Sequence, residues 1–198
     1  MNARLFAAAV FAGALTLFVW ETISNAALPW HRMTMRSFAD STAAVQAIRA
    51  HAPENGLYVD DRGVVAAVSL LPDTSSKAKL LVPMMGRQIV LDLLVAAVFL
   101  FAMARLPRAT TMQYAGIFGV AAFAISLSTF GSNWNWWGYP AAWTLVQVVD
   151  RTIGFALMGL VMGWIANRTP GRTITDEWGG VRAQGGLPTA SRNSPARH

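Results

Sequence analysis

WTLVQVVDRTIGFALMGLVMGWI, residues 143–165, is the stretch whose reading decides the fold. At a rise of about 1.5 Å per residue, an apolar helix of this length crosses the roughly 30 Å hydrocarbon core of a bilayer. Its only charged residues are Asp150 and Arg151. Three further apolar runs accompany it. The first begins at Leu5, runs cleanly to Trp20 and less cleanly through Glu21 to Leu28, and is bounded by Pro29; the others cover residues 89–106 and 114–130. The pattern predicts an all-α membrane protein, a four-transmembrane-helix bundle.

Composition agrees. Charged residues make up 13% of the chain and mean hydropathy is +0.38, against about 25% charge in an ordinary soluble domain. Lys and Arg outnumber Asp and Glu by 16 to 10, yet the basic residues form no stripe that would suit nucleic acid. They lie between and beyond the apolar runs, where they orient a membrane protein by resisting translocation. The lipid bilayer is thus the expected partner. Cysteine is absent, which excludes disulfides, thiolate metal sites and a cysteine nucleophile.

The organisation expected is a first span over residues 1–29, a polar loop over 30–87, spans at 88–106 and 114–130, a Trp-rich turn at 131–142, a fourth span at 143–166 and a basic disordered tail at 167–198. Within the loop, Phe38, Val45 and Ile48 recur at helical spacing, so residues 37–51 read as a short amphipathic helix ending near Pro53. His51 then sits favourably at that helix's C-terminus. Leu57-Tyr58-Val59, the turn-like Asp60-Asp61-Arg62-Gly63 and the run from Val64 to Leu71 read as a hairpin. Helix and hairpin together form a small extracytoplasmic α/β cap. The rival reading of the first span is a signal peptide, since Ser24-Asn25-Ala26 fits a small-x-small cleavage site; Trp20, Glu21 and Trp30 around that site argue for a retained span.

Orientation follows from the basic residues. Arg4, Arg105, Arg108 and the tail from Arg168 to Arg197 share one side, whereas the turn holding Trp134, Trp136, Trp137 and Tyr139 has no charge. Both termini are therefore expected in the cytoplasm. The four rings suit the headgroup region, where an apolar body and a polar N–H or O–H are both accommodated.

Trp20, Ile23, Ser24 and Pro29, then Gly56-Leu57-Tyr58, then Asn135-Trp136-Trp137-Gly138-Tyr139-Pro140 followed by Asp150 and Gly154, resemble a family of small uncharacterised bacterial inner-membrane proteins. The Asn-Trp-aromatic-Gly-aromatic-Pro signature is the most specific part, and the likeness runs to about Ile165. It implies a multi-pass inner-membrane location and no assigned activity. The basic tail falls outside it.

Five residues are candidates for chemistry. Asp150 and Arg151 lie inside the fourth span, Asp92 near the start of the second, Glu21 near the end of the first, and His31 just beyond it. Charge at such depth is costly unless paired, solvated or turned into the bundle. The cluster reads either as a structural ion pair, with Asp150 held by Arg151 or by a group from the first or second span, or as an ion, proton or ligand site. Arg151 is expected to snorkel to the interface if it is not paired. His31 with Glu21 and Asp92 lacks any metal-ligand spacing and reads as an interfacial surface residue, so neither metal nor cofactor is expected. Gly154, Gly159 and Gly163 mark one smooth helix face, fit for packing in the bundle or for a homo-oligomer or membrane-protein partner. No Gly-x-Ser-x-Gly or phosphate-binding loop is present. The leading expectation is a structural or accessory component. A transporter, channel or proton-coupled element built on Glu21, Asp92, Asp150 and Arg151 is the alternative, and a membrane enzyme using these carboxylates with His31 is the third.

Overall fold

The computed structural model describes residues 3–70 and 77–168. Four helices are long and apolar enough to cross a membrane: α1 (Ala3–Ala26), α4 (Lys77–Met103), α5 (Thr111–Trp137) and α6 (Ala141–Asn167). Between the first two lie the short α2 (Trp30–Met33), α3 (Ser41–His51) and a two-stranded antiparallel sheet, β1 (Gly56–Asp60) and β2 (Val64–Val68). The basic tail expected to be disordered lies, from residue 169 on, outside the described residues.

Two helix boundaries depart from the sequence expectation. Residues 131–137, expected in a Trp-rich turn, are the last two turns of α5. Nothing in Gly131-Ser132-Asn133 breaks a helix strongly enough to stop it. The stop is Gly138, which adopts φ +67° and whose N–H donates to the Asn133 carbonyl, a left-handed cap that glycine takes without steric cost. The connection to α6 is correspondingly short, and Trp134, Trp136 and Trp137 stand exposed on α5. The second span likewise starts earlier than residue 88. Leu80, Leu81, Val82, Met84 and Met85 continue α4 toward the cap through Pro83, which sits inside the helix. Proline removes one intrahelical donor and reads in sequence as a boundary, which is why residues 77–87 resemble loop in the sequence. At the other end of α5, Thr110 and Gln113 form a reciprocal capping box.

Helix α1 packs against both α4 and α6, and α5 lies along α6. The three glycines of α6 do not share one face. A Cβ on Gly159 would meet the Tyr114 carbonyl oxygen at 2.7 Å and one on Gly163 the Tyr114 ring at 2.9 Å, so both glycines serve the α5 seam; Gly154 instead faces Trp20 of α1. Gly159-x-x-x-Gly163 therefore packs helices within the bundle. Far from the cap the interior is mainly apolar: Leu100, Met103, Phe118, Met158 and Met162 are buried together with Tyr114, and Phe99 is edge-on to Phe118 and Phe155 at 4.8 and 5.0 Å.

The cap is built from local signals. Asp40 caps α3 by accepting from the Ala43 N–H. Gly63, at φ +90°, closes a three-residue hairpin loop. No α3 residue is buried, and Phe38, Val45, Leu57, Val59 and Val64 are exposed.

Candidate functional site

Where α1 ends, the chain turns back on itself, and the reversal builds a polar joint. Positions 13, 17, 20 and 24 of α1 follow three- and four-residue steps and so share one face. Gly13, Leu17 and Trp20 on that face contact α6. Gly154 lets the Trp20 ring lie against the α6 backbone, because a Cβ there would sit 2.7 Å from ring atom Cδ1. The indole N–H then reaches one turn away, donating to Asp150 Oδ1 at 2.8 Å and to the Asp150 carbonyl oxygen at 3.1 Å.

The second carboxylate oxygen meets α2. His31 Nε2 lies 3.3 Å from Asp150 Oδ2 and 3.1 Å from Ser24 Oγ, while Ser24 Oγ accepts from Trp30 Nε1 at 3.0 Å. The Asp150 carboxylate thus has the Trp20 indole as its hydrogen-bond donor and the His31 imidazole within ion-pair distance of its second oxygen. Trp20 stands edge-on to Trp30, and Trp30 to His31, roofing the joint with rings. His31 and Asp150 are only 3% and 4% exposed, and Ser24 is fully buried.

A serine, a histidine and an aspartate in contact invite comparison with a hydrolytic triad, and the geometry rules it out. In a triad the carboxylate holds Nδ1 and the nucleophile faces Nε2. Here Ser24 and Asp150 both face Nε2, and no substrate reaches a serine with no exposed surface.

Arg151 points elsewhere. Its Nη1 donates to Glu21 Oε1 at 2.7 Å, in an ion pair whose arginine side chain is 41% exposed. Asp150 and Arg151 are thus not partners, as their separation of about 100° around a helix requires. Asp92 lies within electrostatic reach of both Glu21 and Arg151. Its Oδ1 accepts from Gln88 Nε2 at 2.9 Å, and its buried Oδ2 has no partner among the described residues. Beside the Glu21–Arg151 pair is a cavity of about 450 Å³ between α1, α4 and α6, walled by Leu81, Met84 and Met85, edged by Gln88 and Gln147, and bordered by Asp150 as well.

All five candidates from the sequence thus stand at the cap end: Asp150 and His31 meet in the joint, Glu21 and Arg151 stand at the cavity, which Asp150 also borders, and Asp92 is bonded to Gln88. The reading of His31 as a surface residue is corrected: Pro29 and the short α2 fold it back against Ser24 of α1 and Asp150 of α6, where it is buried. Trp20, Ser24, Trp30 and Gln88 join the site without being predicted from the sequence. The shared α1 face of Trp20 and Ser24 is the signal that could have found two of them; in sequence, Ser24 is more conspicuous as part of a cleavage motif. Among the described residues, no three His, Asp or Glu side chains are arranged to hold a metal ion.

Fold and site together define a class: a helical protein with four spans of membrane length and, at one end, a buried polar joint beside a charged cavity. Comparison of the chain with protein-family models, curated proteins and solved structures finds no match.

Proposed function

We propose that this chain is a non-catalytic, multi-pass bacterial inner-membrane protein, a structural or accessory component that holds its cap at the extracytoplasmic face with both termini in the cytoplasm. The observation that carries the reading is the closure of Asp150 by Trp20 and His31. One carboxylate ties the end of α1, the short α2 and α6 together, so the joint anchors the start of the loop to the spans. Orientation rests on the basic residues of the opposite end, where Arg105 and Arg168 lie over the Phe101 and Trp164 rings at 4.5 and 3.9 Å, an arrangement suited to an interface. Retention of α1 is part of the proposal, since cleavage after Ala26 would remove Trp20, Glu21 and Ser24 and strand both Asp150 and Arg151.

Replacing Asp150 by Asn keeps the shape and removes the charge-assisted contact with His31. The variant is expected to lose thermal stability in detergent without loss of any separable activity. Unchanged stability with loss of a transport or growth phenotype would overturn the structural reading. The second reading, a transport or proton-coupled element, draws on one observation, the Glu21–Arg151 pair beside the cavity.

A further inference from the structure

We propose that the cavity between α1, α4 and α6 binds the zwitterionic headgroup of a phospholipid carrying a primary amine, admitted sideways from the bilayer. The inference rests on the membrane reading above and goes beyond it by naming a ligand.

The ion pair at the cavity presents a donor edge and an acceptor edge side by side. Among the described residues, Nη1 is the only guanidinium nitrogen of Arg151 with a partner, which leaves donors in the planar fork that suits a phosphate. The lining is negative on balance, since Glu21 and Asp150 both border the cavity and Arg151 is the one cation among its described lining residues. Glu21 has one guanidinium to answer it, while Asp92, bonded to Gln88, keeps a buried oxygen without a donor. An ammonium on the Glu21 and Gln88 side and a phosphate on the Arg151 side match this polarity. A purely anionic headgroup would meet the carboxylates, and a purely cationic one would meet the guanidinium. The Gln147 amide adds a neutral donor and acceptor.

The walls indicate where the ligand comes from. Leu81, Met84 and Met85 line the cavity, and Val82 and Ile89 of the same span-length helix, outside that lining, are exposed beside them. The polar floor is therefore continuous with a lipid-facing apolar flank, so a headgroup can reach the ion pair while its acyl chains stay against α4. Methionine, unbranched and polarizable, adapts to such chains.

Native mass spectrometry of the full chain tests this, after extraction from membranes in detergent and exposure to equal phosphatidylethanolamine and phosphatidylglycerol. Wild type is expected to retain one phosphatidylethanolamine per chain with a preference of about tenfold, the value of one charge-assisted hydrogen bond. Glu21→Gln should erase the preference and Arg151→Gln should weaken retention of both lipids, while Arg108→Gln, at the opposite end, should change nothing. Met84→Trp, which fills the cavity and leaves the ion pair in place, should abolish retention without lowering the melting temperature; it stands in if either charge variant fails to fold. Equal retention of the two lipids, or retention unaffected by Met84→Trp, would overturn the proposal. Displacement of the lipid by millimolar phosphoethanolamine would overturn the bilayer as source. A chain that stays in solution without detergent would overturn the membrane reading itself, a different failure.

Discussion

The two ends of the helical bundle solve the same packing problem by different chemistry. Away from the cap, glycine, alanine and methionine bring α1, α5 and α6 into contact and the interior is mainly apolar. At the cap end the same bundle carries Asp150, Arg151, Glu21 and Asp92. Lipid tails are as apolar as leucine, so helices in a bilayer gain little from hiding apolar surface and depend on close fit and polar contacts. The apolar end uses fit and the cap end uses polar contacts. Each should fail in its own way.

Disrupting the fit should produce the largest effect. Gly159→Leu places a side chain against the α5 backbone at a position where even a Cβ is 2.7 Å from a carbonyl oxygen. A loss of at least about 3 kcal/mol is expected, beyond ordinary overpacking because backbone must move, and the variant should fail to accumulate in membranes. Accumulation at wild-type level would mean the α5–α6 seam is looser than described.

Breaking the polar joint comes next. Asp150→Ala leaves the Trp20 N–H with only the backbone carbonyl of residue 150 and His31 with only Ser24, and a loss of about 2 kcal/mol is expected in reversible unfolding in mixed micelles. Trp20→Phe keeps the ring against Gly154 and removes only the N–H, for about 1 kcal/mol. Should Trp20→Phe cost nothing while Asp150→Ala does, His31 would carry the joint alone.

The Glu21–Arg151 pair should matter least for stability. It is partly exposed to the cavity, where solvent weakens the attraction. A double-mutant cycle with Glu21→Gln and Arg151→Gln is expected to give a coupling of about 0.5 kcal/mol that shrinks as salt is raised. A coupling as large as that between Trp20 and Asp150 would place the ion pair in the joint instead.

The four spans are legible because a predominantly apolar run of about twenty residues matches the thickness of a bilayer and is far longer than a buried strand or an ordinary core helix needs. Depth along the fourth span marks Asp150 and Arg151 in the same way. Their partners are not legible. Trp20 and His31 are 130 and 119 positions from Asp150, and a single sequence carries no signal of which turn of one helix faces which turn of another. His31 looks interfacial because Pro29 precedes it; only the reversal through α2 shows that it folds inward. Pro83 and Gly86 hide the first turns of α4, and with them the cavity wall, since residues that usually end helices here sit inside one.

The central claim is that the Asp150 carboxylate, although Asp150 borders the cavity, is held in the joint between Trp20 and His31, while its sequence neighbour Arg151 opens onto the cavity. With no native cysteine in the chain, single substitutions can report on each side with a charged, membrane-impermeant thiol reagent applied from the cap side. Ser24→Cys, beside His31 and Asp150, should stay unlabelled in the folded protein and react only after denaturation. Gln147→Cys, on the cavity edge, should label rapidly. Labelling of Ser24→Cys at a rate similar to that of Gln147→Cys, in a variant whose melting temperature matches wild type, would contradict the account.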